Sequence, residues 1–199
     1  MDAIEKPTSA LLLMDIQNDI VDADGKLGRH GMAAEVERMH AIENSARSLA
    51  AARAAGLMVV HVIVAFRPGH TDVTPHSKLL ASIGQANALV EGTWGAEIHP
   101  GVAPTEDELI VTKRAVSSLT GTDLAPILQA RGISTLVLAG VATTYVVEGT
   151  ARDAVDRGYG VVTLQDCCAS FSEAQHQASL TVLKSLGPVV TAEEFAAAL

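Results

Sequence analysis

Leu136–Ala151 reads LVLAGVATTYVVEGTA. Its first half is an apolar, β-branched run broken by Gly140, and after the threonine pair Thr143–Thr144 the spacing switches to that of a helix. In open α/β sheets such a strand–loop–helix junction lies where the carboxyl ends of the strands form a crevice, and reacting groups collect there.

The same alternation extends outward in both directions. Ala10–Met14 (ALLLM) and Leu57–Val64 (LMVVHVIV) are continuous apolar runs, the pattern of strands buried on both faces. Between them, Ala33–Ala55 carries Val36, Met39, Ala46, Leu49 and Ala50 near helical spacing, with Gly56 placed to end the helix. Glu108–Val111, Thr135–Ala139, Gly160–Leu164 and Val189–Val190 read as further strands. Asp123–Arg131, Thr143–Arg157 and Ser172–Ser185 read as helices, and a short helix ends the chain. Phe66–Thr105, rich in Gly and Pro, is a long excursion with at most short helices, and such excursions are often functional. This order predicts one α/β domain over residues 1–199, a three-layer α/β/α arrangement around a mostly parallel six-stranded sheet.

Composition narrows the partners. With 48% hydrophobic and 19% charged residues, the 199-residue chain can bury a sizeable core. Its net charge of −9 and scattered basic residues argue against nucleic acid. No apolar run approaches the roughly 20 residues of a membrane span, and no signal-peptide pattern is evident. The only cysteines, Cys167 and Cys168, are adjacent, which suits neither a relaxed disulfide nor a Cys-based zinc site. A reducing, cytoplasmic setting is expected.

Three features sit at carboxyl ends of expected strands: Asp15, Lys113 and the Gly140–Val146 turn. A carboxylate beside an ammonium group is a workable acid/base pair. The plainer alternatives are a turn or cap residue for Asp15 and a solvated strand end for Lys113.

Longer strings carry a family resemblance. LLLMDIQNDI (Leu11–Ile20), TWGAEIHP (Thr93–Pro100), VTKRAVSSLTGTDL (Val111–Leu124) and GVATTYVVEGTARDA (Gly140–Ala154) occur in that order. They resemble the motifs of the isochorismatase-like hydrolases, with Leu119 where an aromatic residue is usual. The resemblance implies that family's Rossmann-like fold, Asp15 as catalytic acid/base and Lys113 as its partner. It implies a non-prolyl cis peptide at Val141–Ala142 and a turn, Val141, Ala142, Thr143, Thr144 and Tyr145, that presents backbone N–H groups to the substrate. The cysteine-dependent branch carries its nucleophile at the position of Val146, and valine can neither attack a carbonyl nor move a proton. The isochorismatase branch also lacks that cysteine, although it usually has Gly there and His at the position of Thr144.

Cys167 or Cys168 is a possible replacement nucleophile at another strand end, or a buried small hydrophobe. No Asp-x-His unit follows Ala65, His61 reads as a core histidine, and neither metal nor cofactor is expected. Gln17, Arg67, His70 and Trp94 are candidate substrate contacts; for Gln17 the alternative is orienting Asp15, and for Trp94 an anchor in a homo-oligomer. The expected activity is hydrolysis of a small organic acid, ether or related metabolite by Asp/Lys acid–base catalysis without a thioester. The alternatives are a silent binding module on the same fold, or an amidohydrolase with another nucleophile such as Thr143, Thr144 or water.

Overall fold

The computed structural model describes residues 3–199. Its strands are β1 (Ser9–Met14), β2 (Met58–Val64), β3 (Leu109–Lys113), β4 (Thr135–Val141), β5 (Gly160–Ala169) and β6 (Val189–Val190). They form one sheet in the order β3-β2-β1-β4-β5-β6, every pair parallel. The helices are α1 (Asn18–Val21), α2 (Met32–Arg38), α3 (Ala41–Ala55), α4 (Lys78–Gln85), α5 (Leu124–Ala130), α6 (Glu148–Asp156), α7 (Glu173–Leu186) and α8 (Ala192–Ala197).

β1 is buried at every position because both of its faces are covered. Leu11 and Leu13 join Val36 of α2, Leu49 and Ala52 of α3 and Phe195 of α8 in one core. Ala10, Leu12 and Met14 point the other way, into a second core with Leu124 and Leu128 of α5, Ala151 and Ala154 of α6 and Leu180 and Leu183 of α7. Residues one apart on a strand thus feed opposite layers, which is why the run has no polar alternation. After β1 the chain builds outward through β2 and β3, then returns to place β4 on the other side of β1. The reversal makes the carboxyl ends of β1 and β4 a topological switch point. Gly140 belongs to this contact: its φ is +155°, and a Cβ would stand 2.2 Å from the Met14 carbonyl oxygen of β1.

Three local readings change. The single helix expected over Ala33–Ala55 is two helices, α2 and α3, because His40 takes a left-handed φ of +50° between them. The strand expected at Gly160–Leu164 continues to Ala169, past polar Gln165 and Asp166. Asp166 is used rather than solvated: its Oδ1 accepts the Ala192 N–H that opens α8, and its carbonyl accepts from Asn44 Nδ2 of α3. Cys167 and Cys168 therefore lie inside β5, not beyond it. The helix expected from Thr143 opens with a wide π turn over Thr143–Val147 before α6 begins.

Candidate active site

Asp15 follows β1 in a left-handed conformation, φ +57°, and its N–H donates to the Val62 carbonyl at 2.8 Å. Aspartate tolerates that region better than most residues. Lys113 ends β3, two strands away, and its Nζ reaches back to donate to Asp15 Oδ2 at 2.8 Å and to the Ala115 carbonyl at 3.0 Å. Both side chains are nearly dry, with Asp15 6% and Lys113 2% exposed. Asp15 Oδ1 is buried and has no hydrogen-bond partner among the described residues. Burial raises the Asp15 carboxyl above the usual carboxylate range; the charge and hydrogen bond of Lys113 pull the other way without cancelling the rise.

The pair forms part of the lining of a cavity of about 270 Å³. Val141, Ala142, Tyr145 and Val146 bring the turn after β4 to the same cavity, and the Val141–Ala142 peptide bond is cis. Val146 is buried and belongs both to the second core and to the lining. The other turn residues face away from it. Thr143 Oγ1 is 2.8 Å from His176 Nδ1 of α7, and Thr144 Oγ1 is hydrogen-bonded to Ser170 Oγ.

The cysteines lie off the cavity lining. Cys167 Sγ is 3.4 Å from Ser48 Oγ of α3, and Cys168 Sγ meets the Leu164 carbonyl at 3.2 Å. Both are fully buried. Burial pushes the Cys167 thiol well up and the Cys168 thiol up to about 12, so neither is a ready thiolate.

The four candidate substrate contacts are also placed away from the lining. Gln17 is a staple: its Nε2 donates to the Val64 and Ala96 carbonyls at 2.9 and 2.8 Å, and its Oε1 accepts the Val64 N–H at 2.9 Å. Asn18 Nδ2 holds the Trp94 carbonyl at 2.8 Å, while Asp19 accepts the Lys26 and Leu89 N–H groups. The polar residues after Asp15 thus fasten the excursion over the sheet. Arg67 is exposed, and its backbone N–H meets Asp72 at 3.1 Å. His70 Nε2 stands 2.7 Å from the Ala88 carbonyl. Trp94 is 48% exposed.

The excursion reaches the cavity through other residues, Leu79, Leu80, Ser82 and Ile83 of α4 and then Leu89. The apolar spacing Leu79-Leu80-Ile83 was the available signal. His30, before α2, and Phe171, after β5, also line the cavity and carried no motif.

Comparison with known proteins bears on the family and the fold. The isochorismatase domain matches residues 9–194. A maleamate amidohydrolase from Pseudomonas putida is 30% identical over 186 residues, spanning 93% of this chain and 84% of that protein. The crystal structure of an isochorismatase family protein from Desulfovibrio vulgaris superposes with a TM-score of 0.81 at 30% identity, covering 94% of this chain and 95% of the other. A cysteine hydrolase from Pseudomonas syringae pv. phaseolicola superposes with a TM-score of 0.86 at 27% identity, covering all of this chain and 95% of the other. The sheet order, the strand-end placement of Asp15 and Lys113 and a domain match over nearly the whole length converge, and the chain belongs to the isochorismatase family.

Proposed function

We propose that the protein is a hydrolase in which Asp15 and Lys113 activate water against a small organic substrate, without a covalent thioester. The observation that carries this reading is the wiring of Asp15: one oxygen held by Lys113 at 2.8 Å, the other buried and unpartnered, on a carboxyl group lining the cavity. Burial raises the carboxyl pKa and so makes it a readier proton carrier than an exposed aspartate, while the ammonium group beside it stabilises the carboxylate left after transfer. In the proposed cycle, protonated Asp15 donates to the leaving or accepting atom of the substrate. A water molecule adds to the electron-poor carbon, the scissile bond breaks, and the proton lost by that water returns to Asp15. One water is consumed and the carboxylic acid is regenerated.

Val146 supports the absence of a thiol step, since it lines the cavity and is the residue that the motif resemblance sets at the family's nucleophile position. The burial and raised pKa of Cys167 and Cys168 support it independently. Thr143 and Thr144 are poor substitutes, because both hydroxyls are committed to partners off the cavity.

A second reading has one observation in its favour. The Pseudomonas putida relative is a maleamate amidohydrolase, and an amide suits the same residues used in the reverse order, with the Asp15 carboxylate first as general base toward water and then as acid toward the departing amine. A screen of vinyl ethers, esters and amides against wild type and Asp15→Asn tests both. Turnover that disappears in the variant supports the acid–base site, and the bond class that responds chooses between the readings. Turnover unaffected by Asp15→Asn would overturn the mechanism, and ligand binding without turnover of any class would leave a binding module.

A further inference from the structure

The cavity has an unusual wall for a site that ends in charges. Around Asp15 and Lys113 the lining includes the buried aliphatic side chains Ile20, Met32, Val64, Leu80, Ile83 and Leu89. Among the described residues no arginine lines it, and its one ammonium, Lys113, is already engaged by Asp15 and the Ala115 carbonyl. His30 contributes from an exposed position. Tyr145 and Phe171, also on the lining, stand edge to face with ring centroids 6.0 Å apart, 40% and 44% exposed. Aromatic rings left half in water beside an apolar cavity are surface that a ligand's apolar body can cover. A carboxylate entering here would give up its hydration with no unpaired cation to receive it, whereas an uncharged hydrocarbon body loses nothing and gains burial.

We propose that this cavity selects uncharged substrates, each an aliphatic or aromatic body bearing a single hydrolysable polar group, over carboxylate-bearing analogues. The inference rests on the acid–base reading for its orientation: the polar group goes in first, toward Asp15 Oδ1, and the apolar body lies along α4 and beneath Tyr145 and Phe171. Within the expected range of a small organic acid, ether or related metabolite, this favours the uncharged members.

Calorimetric titration of the full chain tests this with two matched pairs, hexanamide against adipic monoamide and phenylacetamide against its para-carboxy derivative. The neutral member of each pair is expected to bind at least about tenfold more tightly. Equal or tighter binding of the carboxylates, or no saturable binding of either neutral amide, would overturn the proposal. Leu79→Arg, at a half-buried lining position, should narrow or reverse the preference, and Ser82→Arg, exposed on the same helix, is the second variant should the first fold poorly. A preference unmoved in both folded variants would also overturn it. Binding and turnover are read separately: neutral ligands that bind without being hydrolysed would sink the acid–base mechanism alone, and carboxylates hydrolysed preferentially would sink the substrate class alone.

Discussion

At the amino end of β3, Glu108 accepts from Arg53 Nε and Nη2, each at 2.7 Å, and from the Thr105 N–H at 3.0 Å, and it faces His61 Nε2 at 3.0 Å. At the carboxyl end of the same strand, Lys113 meets Asp15, whose other oxygen has no partner among the described residues. The Arg53 hydrogen bonds, helped by Thr105 and His61, hold the Glu108 carboxyl down to about 2 despite its burial. At Asp15 burial outweighs the single ammonium and the carboxyl rises. Both clusters pair an acid with a cation near the sheet; what separates them is how many donors the carboxylate has. The saturated cluster has nothing left to offer a substrate and clamps α3 to β3. The unsaturated one leaves a buried, unpartnered oxygen on a residue of the cavity lining, which is what the proposed proton transfer calls for.

The contrast is open to attack at both ends. Asp15→Asn should produce the largest effect, a loss of turnover of about 10²–10⁴-fold in a folded protein, because the amide keeps the shape and removes the transferable proton. In wild type, turnover that depends on protonated Asp15 should fall as pH rises through its elevated pKa, so a pH profile flat across that rise would contradict the assignment.

Lys113→Met should impair turnover severely and cost about 3–5 kcal/mol of stability, since it leaves a buried carboxyl without its cation. The sign with pH is defined. Burial raises the Asp15 pKa in the folded state, and loss of Lys113 removes what lowered it. The deficit should therefore be small at low pH and grow as pH rises through the folded pKa. Denaturant titration across pH measures this; a deficit independent of pH would mean that the lysine acts by packing alone.

Glu108→Gln should leave turnover within about twofold and cost about 2 kcal/mol, because the carboxylate accepts charge-assisted hydrogen bonds that an amide meets poorly. Here the folded pKa is depressed, so the contribution is present above the unfolded value of 4.5 and is lost as pH falls toward about 2. A large loss of activity with normal stability would break the division between clamp and reaction site.

The thiol variants sharpen the comparison with the least perturbation. Val146→Cys places a thiol beside the cavity in the opening turn of a helix, and it should alkylate faster than a free cysteine because the positive end of the helix favours the thiolate. A thiol there with ordinary reactivity would mean that the turn does not present its helix start to that face of the cavity. Cys167→Ser/Cys168→Ser should retain most turnover at a stability cost of about 1–2 kcal/mol from burying hydroxyls, whereas complete loss in a folded double variant would restore a covalent mechanism.

Much of the fold was legible because it rests on local periodicity: unbroken apolar runs mark strands covered on both faces, and alternating elements imply parallel crossovers. Asp15 and Lys113 were legible as strand-end residues for the same reason. Gln17, Arg67, His70 and Trp94 were harder, since a polar or aromatic residue near a site reads alike whether it meets a ligand or ties down a loop. Gln17 and the Trp94 carbonyl turned out to be tied into that fastening. The extension of β5 was hidden because Gln165 and Asp166 read as a strand end, and only the approach of α8 and Asn44 shows what satisfies Asp166 there.

By itself, then, the sequence determined most of the order of strands and helices, the break in the apolar run at Gly140 and the presence of a valine at position 146, all properties of residue type and short-range spacing. The tertiary structure alone decided that Lys113 reaches Asp15 across two strands, that α4 closes the cavity with leucines and isoleucine, and that burial raises one carboxyl while hydrogen bonds lower another. Those outcomes depend on desolvation and on donors brought from distant parts of the chain, and neither quantity exists until the layers have packed.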